Sequence, residues 1–194
     1  MKFPDPPFPP RPTVLVQAML RPSIREGDVV VDATAGNGYD TLFLAECVGA
    51  RGRVLAFDVQ EAALVSARTR VAAAGCDGWV EFHHESHGGL GKYAEEGTVA
   101  AVMFNLGYLP GEDHEVTTVA DETLAALEVA ARVMKSGGML SVVCYPGHEA
   151  GAVEAEAVET WMTGLAAHGW RVAKYGAVGT RRLAPFLLAG VKGG

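Results

Sequence analysis

Paired cysteines are missing from this chain. Cys47, Cys76 and Cys144 are its only thiols, odd in number and far apart, with no Cys-x-x-Cys among them. That pattern predicts a reduced, cytoplasmic protein that uses all three as small core hydrophobes. Long apolar runs are missing too. Nothing approaches the roughly 20 residues of a membrane span, and no apolar signal segment is visible, so neither a membrane nor a secretory address is expected. Positive charge is scarce: 16 Lys and Arg stand against 23 Asp and Glu, a net charge of −7. Such a chain gains no general attraction to phosphate backbones. This argues against nucleic-acid binding without excluding it, because Arg171, Lys174, Arg181, Arg182 and Lys192 gather near the C-terminus. The P-loop pattern, the G-x-S-x-G elbow and any evident Cys/His nucleophile arrangement are also absent. His83, His84 and His87 crowd one segment, but the first two are adjacent at a strand end and face opposite ways. With no cysteine nearby in sequence, no metal site is expected.

What is present is a core and a rhythm. Almost half of the 194 residues are apolar, enough for one sizeable hydrophobic interior. Residues 1–12, "MKFPDPPFPPRP", predict a proline-rich arm; residues 13–194 predict a single domain. Thr13 is placed to cap a short helix stopped by Pro22. "GDVVVDAT" reads as a buried strand and "GYDTLFLAECVGA" as a helix. "RVLAFDVQ" is a second strand, followed by a helix ending at Gly75. "WVEFHH" and "TVAAVMFNLGYLP" are strands three and four. A helix closed by Gly137 and Gly138 leads to strand five, "MLSVVCYP". One more helix precedes two consecutive strands near the C-terminus. Strands alternating with helices predict an α/β fold: a doubly wound, Rossmann-like sheet of about seven strands with an antiparallel C-terminal hairpin. Such sheets bind ligands beyond the C-terminal ends of their strands.

Two features sit at those ends. The first is the turn around Gly36, Asn37 and Gly38, between strand one and its helix. Glycine lets a ligand approach the backbone closely, and the helix start offers unpaired N–H groups. Asp58 stands at the end of strand two, where a carboxylate accepts hydrogen bonds from ribose hydroxyls. A dinucleotide fingerprint wants a third small residue, and Thr41 occupies that position instead. Asp32, four residues before Gly36, makes the arrangement D-x-x-x-G-x-G. It resembles motif I of class I S-adenosyl-L-methionine-dependent methyltransferases. The second feature is "FNLGYLP", Phe104 to Pro110, which resembles the N-P-P-Y type motif of methyltransferases acting on amino groups. Methyl transfer is an in-line displacement that needs a lone pair about 3 Å from the methyl carbon. The Asn105 side-chain oxygen, or the Asn105 and Leu106 carbonyls, would accept the hydrogens of an amine and aim its lone pair. Tyr108 would stack on the substrate, and Gly107 would leave room for it.

"DATAGNGYDTLFLA", "FDVQ", "HHESH", "FNLGYLPGEDH", "YPGHEAG" and "APFLLAGVK" follow one another as in the family labelled putative rRNA methylases. The chain resembles the tRNA wobble-uridine enzymes among them, which methylate the amine of 5-aminomethyl-2-thiouridine. That resemblance implies S-adenosyl-L-methionine contacts at Asn37, Gly38, Asp40, Asp58, Gln60, Ser86 and His87, beside Gly36 and Thr41. Asn105, Gly107 and Tyr108 would line the acceptor side. The chain departs from the family pattern at Tyr39, where His is usual, and at His114, which stands on the substrate rim in place of a lysine. It departs again at Arg181 and Arg182, which replace neutral contacts with phosphate contacts. The tRNA partner would meet a basic groove built from these arginines, joined across a homodimer. Alternatives remain: a methyltransferase of a small-molecule or protein amine, a nicotinamide-dependent oxidoreductase, or a binding module without chemistry.

Overall fold

The computed structural model describes residues 10–107 and 120–194. Five helices, α1 (Pro12–Leu20), α2 (Tyr39–Val48), α3 (Glu61–Ala73), α4 (Ala120–Val133) and α5 (Glu149–Gly164), surround one sheet. Its strands are β1 (Val29–Asp32), β2 (Arg53–Asp58), β3 (Val80–His84), β4 (Val99–Asn105), β5 (Met134–Cys144), β6 (Arg171–Gly176) and β7 (Phe186–Val191). The spatial order is β3-β2-β1-β4-β5-β7-β6. β7 pairs antiparallel with both β5 and β6, and every other neighbouring pair runs parallel. The expected C-terminal hairpin is therefore present, with β7 inserted as the one reversed strand.

Side chains alternate between the two faces of the sheet. Val30, Val54, Ala56, Ala101, Met103 and Leu187 join the core under α1, α2 and α3. Val31, Leu55, Phe57, Val102, Phe104 and Leu188 join the core under α4 and α5. Both faces are covered, so the inner strands are apolar throughout rather than alternating with polar residues. Cys76 and Cys144 lie buried in these cores, whereas Cys47 is only half-buried. Burial pushes the Cys144 thiol up to about 12, leaving it an inert hydrophobe. Among the described residues, no helix is long and apolar enough to cross a membrane.

Two local expectations are corrected. Thr13 does not cap α1: Arg11 takes the N-cap position and Pro12 opens the helix, where proline's missing N–H costs nothing. Gly137 and Gly138 do not close α4, which ends at Val133. Met134 is already paired with Val99 in the sheet, and the Gly137 N–H bonds the Lys192 carbonyl. The helix end is instead met by the Lys192 ammonium, which donates to the carbonyls of Ala131 (2.8 Å) and Met134 (2.7 Å). A cation at a helix C-terminus stabilises its free carbonyls. Gly75, by contrast, does follow the end of α3 in a left-handed conformation, φ +70°.

The strand order reverses between β1 and β4, so the loops leaving these two strands diverge and open a crevice. Its floor is set by close helix packing. Gly38 has φ +78°, and a Cβ there would lie 2.5 Å from Ala67 Cα of α3. This glycine is required by the neighbouring helix, whatever ligand the turn holds. Gly38→Ala combines a backbone strain of about 1–2 kcal/mol with overpacking of about 1–3 kcal/mol. The expected result is a marked loss of thermal stability by calorimetry; an unchanged melting temperature contradicts the packing role.

Candidate functional site

The turn after β1 is tied to both neighbouring strands. Ala33 N–H bonds the Met103 carbonyl, and Ala35 N–H bonds the Phe57 carbonyl, each at 2.8 Å. Asp58, at the end of β2, accepts from Gly36 N–H (2.8 Å) with one oxygen and from Gln60 N–H (2.9 Å) with the other. Each oxygen keeps a further lone pair, so the carboxylate both braces the turn and retains capacity for a ligand hydroxyl. Gly36 itself adopts φ +49°.

Asp32 lies beneath the turn, 1% exposed. It accepts from the Thr41 hydroxyl (2.6 Å) and from Thr34 N–H (3.2 Å). Thr41, expected among the cofactor contacts, is wholly buried with its hydroxyl committed to Asp32; it supports the turn from below. Burial, reinforced by the charge of Asp40, pushes the Asp32 pKa up to about 7. Asp40, in the first turn of α2, accepts from the Gln17 side chain of α1 at 2.7 Å. Burial raises its pKa as well. Asn37 gives its carbonyl to Arg70 Nε (2.7 Å), and the Arg70 guanidinium lies 3.6 Å from the centre of the Tyr39 ring.

After β3, Ser86 caps the short helical turn His87–Lys92, accepting from Gly88 N–H at 3.3 Å. His87 is buried, with Nδ1 3.2 Å from the Ala33 carbonyl. Facing a carbonyl, Nδ1 carries the proton, which leaves Nε2 as an acceptor. Burial lowers the His87 pKa, keeping the ring neutral. His83 is held apart, stacked 4.7 Å from Phe57 and tilted 3.9 Å from Tyr93, while His84 is exposed. Among the described residues, no group of three His, Cys, Asp or Glu is arranged to hold a metal.

At the end of β4, Asn105 N–H bonds the Thr34 hydroxyl at 2.8 Å. Tyr145, which follows β5, is half-buried at the same end of the sheet, and burial raises the pKa of its phenol. Gly107 lies against the Tyr145 ring, where a Cβ would be 3.4 Å from Cδ2. Among the described residues four buried side-chain atoms lack partners; three of them, Gln60 Oε1, His87 Nε2 and Asn105 Oδ1, are acceptors at these strand ends, and the fourth, His83 Nε2, lies apart. Buried polar atoms are normally satisfied, so three unpaired acceptors fit a ligand that brings donors, such as hydroxyls and amino groups. Tyr108 and His114 lie outside the described residues. Arg181 and Arg182 are exposed on the β6–β7 connection. This connection meets the same rim, because Phe186 pairs with Cys144 and the Leu183 carbonyl is 3.9 Å from a Cβ placed on Gly147.

Thr34, Gln17, Arg70 and Tyr145 are supporting residues that sequence reasoning missed. Thr34 had a local signal, a hydroxyl between Asp32 and the turn; Tyr145 stood in a segment already singled out. Gln17 and Arg70 act across the fold and carry no local mark.

The raised pKa of Asp32 has a defined consequence. Between about pH 4 and pH 7 the folded chain keeps a proton that the unfolded chain, at its ordinary 3.8, releases. Stability from this group therefore falls as pH rises through that window and is level above it. Thr41→Val removes a hydrogen bond that favours the carboxylate. The Asp32 midpoint should rise further, read from its side-chain carboxyl carbon by NMR; an unchanged or lowered midpoint contradicts the assignment.

The family model described as Putative rRNA methylase matches residues 54–190. A curated relative from Arabidopsis thaliana, "tRNA (mnm(5)s(2)U34)-methyltransferase, chloroplastic", is 38% identical over 177 residues. That match covers 85% of this chain but only 63% of the relative, so the chain spans less than two thirds of its length. A putative rRNA-methylase from Clostridium thermocellum superposes with a TM-score of 0.90 at 34% identity, covering 94% of this chain and 97% of that one. A putative methyltransferase from Streptococcus mutans, solved in complex with SAH, gives 0.84 at 31% identity, covering 94% and 98%. The glycine turn, the strand order with its one reversed strand and this match together place the chain in the Putative rRNA methylase family of S-adenosylmethionine-dependent methyltransferases.

Proposed function

We propose that this protein transfers a methyl group from S-adenosylmethionine to a primary amine on an RNA base, the aminomethyl group of 5-aminomethyl-2-thiouridine at the tRNA wobble position. The observation that carries the reading is the buried, unpartnered oxygen of Asn105 at the mouth of the β1/β4 crevice. The Arabidopsis relative bears the name of that activity, which supports the substrate. That relative's name places it in the chloroplast.

When bound, the cofactor supplies an electrophilic methyl on a sulfonium sulfur. The chain's own work is placement. Asp58 and the Gly36–Gly38 turn hold the nucleoside and amino-acid ends; Gln60 and His87 offer acceptors to hydroxyl or amino hydrogens. Asn105 takes hydrogens from the neutral acceptor amine, leaving its lone pair directed at the methyl carbon. Asp40 and Asp58 put negative charge near the turn, which favours a cationic donor over its neutral product. Arg181 and Arg182 would contact phosphates at the rim. A second reading, methylation of a protein or small-molecule amine, is favoured by one observation, the net charge of −7.

Labelled cofactor offered to total tRNA and, separately, to RNA-free extract decides between them. Label is expected in the tRNA, as 5-methylaminomethyl-2-thiouridine by nucleoside mass spectrometry; label confined to the RNA-free fraction rejects the RNA reading. Replacing Arg181 and Arg182 with alanine should weaken tRNA binding and flatten its salt dependence by about two phosphate contacts. Asp58→Ala leaves two amides without their charged acceptor. At about 1.5–3 kcal/mol for such a bond, S-adenosylhomocysteine affinity should fall at least tenfold by calorimetry. Wild-type affinity in that variant removes Asp58 from the site.

A further inference from the structure

We propose that Gln17 of α1 is a positioning residue for the charged donor: through Asp40 it gives the site part of its preference for a sulfonium over the neutral product. The inference deepens the reading that the Gly36–Gly38 turn holds the cofactor beside Asp40. S-adenosylmethionine and S-adenosylhomocysteine differ by one methyl group and by one positive charge at sulfur. A carboxylate near that sulfur separates them by charge only while it is ionised and held in place.

Gln17 is anchored by its own helix. Val16 and Leu20 are buried in the core under α1, α2 and α3, so the face of α1 that meets α2 is fixed. From there Gln17 Nε2 donates to Asp40 Oδ1 at 2.7 Å, across 23 positions of sequence. An ionised carboxylate only accepts, so the amide meets it with its NH2 end. Among the described residues no second donor meets Asp40, and Oδ2 stays open to solvent. One oxygen is held and the other is left for a ligand. Asp40 also stands in the first turn of α2, whose free N–H groups favour negative charge. Burial opposes that charge, and the Gln17 bond restores it. The remaining groups of the neighbourhood do not help. Asp32 at the end of β1 and the Tyr145 phenol after β5 both respond to the Asp40 charge, and Asp58 of β2 adds to the field at Asp32. Among the flanking helices, Arg21 of α1 lies over the Phe43 ring at 5.1 Å, and Arg70 of α3 lies over Tyr39 at 3.6 Å. A neutral amide is the fitting partner. It steadies the carboxylate without cancelling the charge, as a lysine or arginine there would. Gln17 has no need to touch the cofactor. It acts through Asp40.

Gln17→Leu keeps the bulk and removes the donor. Affinities of the full chain for S-adenosylmethionine and for S-adenosylhomocysteine are measured by calorimetry from about pH 8 down to about pH 5. Comparison with wild type at each pH cancels the titration of the ligands themselves. Without the bond Asp40 takes up its proton at a higher pH, so the charge that meets the sulfonium is lost sooner. As the pH falls, the variant should lose its preference for the cation before wild type does, by about tenfold at the widest gap. At the alkaline end, where Asp40 is ionised in both proteins, the two preferences should agree within about twofold. Equal losses for the two ligands, or a loss independent of pH, mark a merely structural role and overturn the proposal. In an Asp40→Asn background Gln17→Leu should change the preference no further; an additional loss also overturns it. A second measurement needs no ligand. The side-chain carboxyl carbon of Asp40, followed by NMR, should titrate at higher pH in Gln17→Leu than in wild type, and an unmoved midpoint rejects the role of Gln17. If wild-type protein binds neither ligand, the cofactor reading falls and the preference with it, while that midpoint still decides whether Gln17 keeps Asp40 charged.

Discussion

One hydroxyl joins the two halves of this site. Thr34, in the turn after β1, accepts the N–H of Asn105 at the end of β4, while its own N–H reaches Asp32. In the proposed mechanism the turn belongs to the cofactor half and Asn105 to the acceptor half. In-line transfer tolerates little error in distance or angle between them. Parallel pairing of β1 with β4 brings the halves together. Beyond the last ladder bonds, the threonine sets their register.

Around this junction the chain concentrates negative charge. Asp32, Asp40 and Asp58 approach one turn closely enough that Asp40 and, more weakly, Asp58 raise the pKa of Asp32. Each carboxylate has a separate restraint: Thr41 for Asp32, Gln17 for Asp40, and two backbone amides for Asp58. A buried carboxylate is costly unless hydrogen-bonded, and these bonds reduce that cost without cancelling the field. Two arginines, Arg181 and Arg182, stand exposed on the β6–β7 connection at the same rim. The acidic side chains thus gather under the turn, and the two arginines stay on the rim.

The alternation of strands and helices, the C-terminal hairpin and the glycine turn were legible because each leaves a local mark. β-branched runs signal β1, β2 and β4, and a carboxylate at a strand end signals Asp58. The failures share one cause. Gly137 and Gly138 look like a helix stop, yet α4 stops earlier because Lys192, distant in sequence, supplies the cation at its end. The packing of Gly38 on Ala67 of α3 and the bond from the Thr41 hydroxyl to Asp32 are likewise tertiary contacts that no local pattern marks.

By itself, then, the sequence determined the fold class, the place of the crevice and the kinds of chemical group gathered there. Periodicity and glycine placement act over a few residues and need no distant partner. Only the tertiary structure decided the orientation of those groups: which Asp58 oxygen braces which amide, how Thr34 ties Asn105 to the turn, and that Gln17 stands behind Asp40. Much of that orientation is set by hydrogen bonds between residues 22 to 71 positions apart, such as Gly36 with Asp58 and Thr34 with Asn105, and no local pattern encodes them.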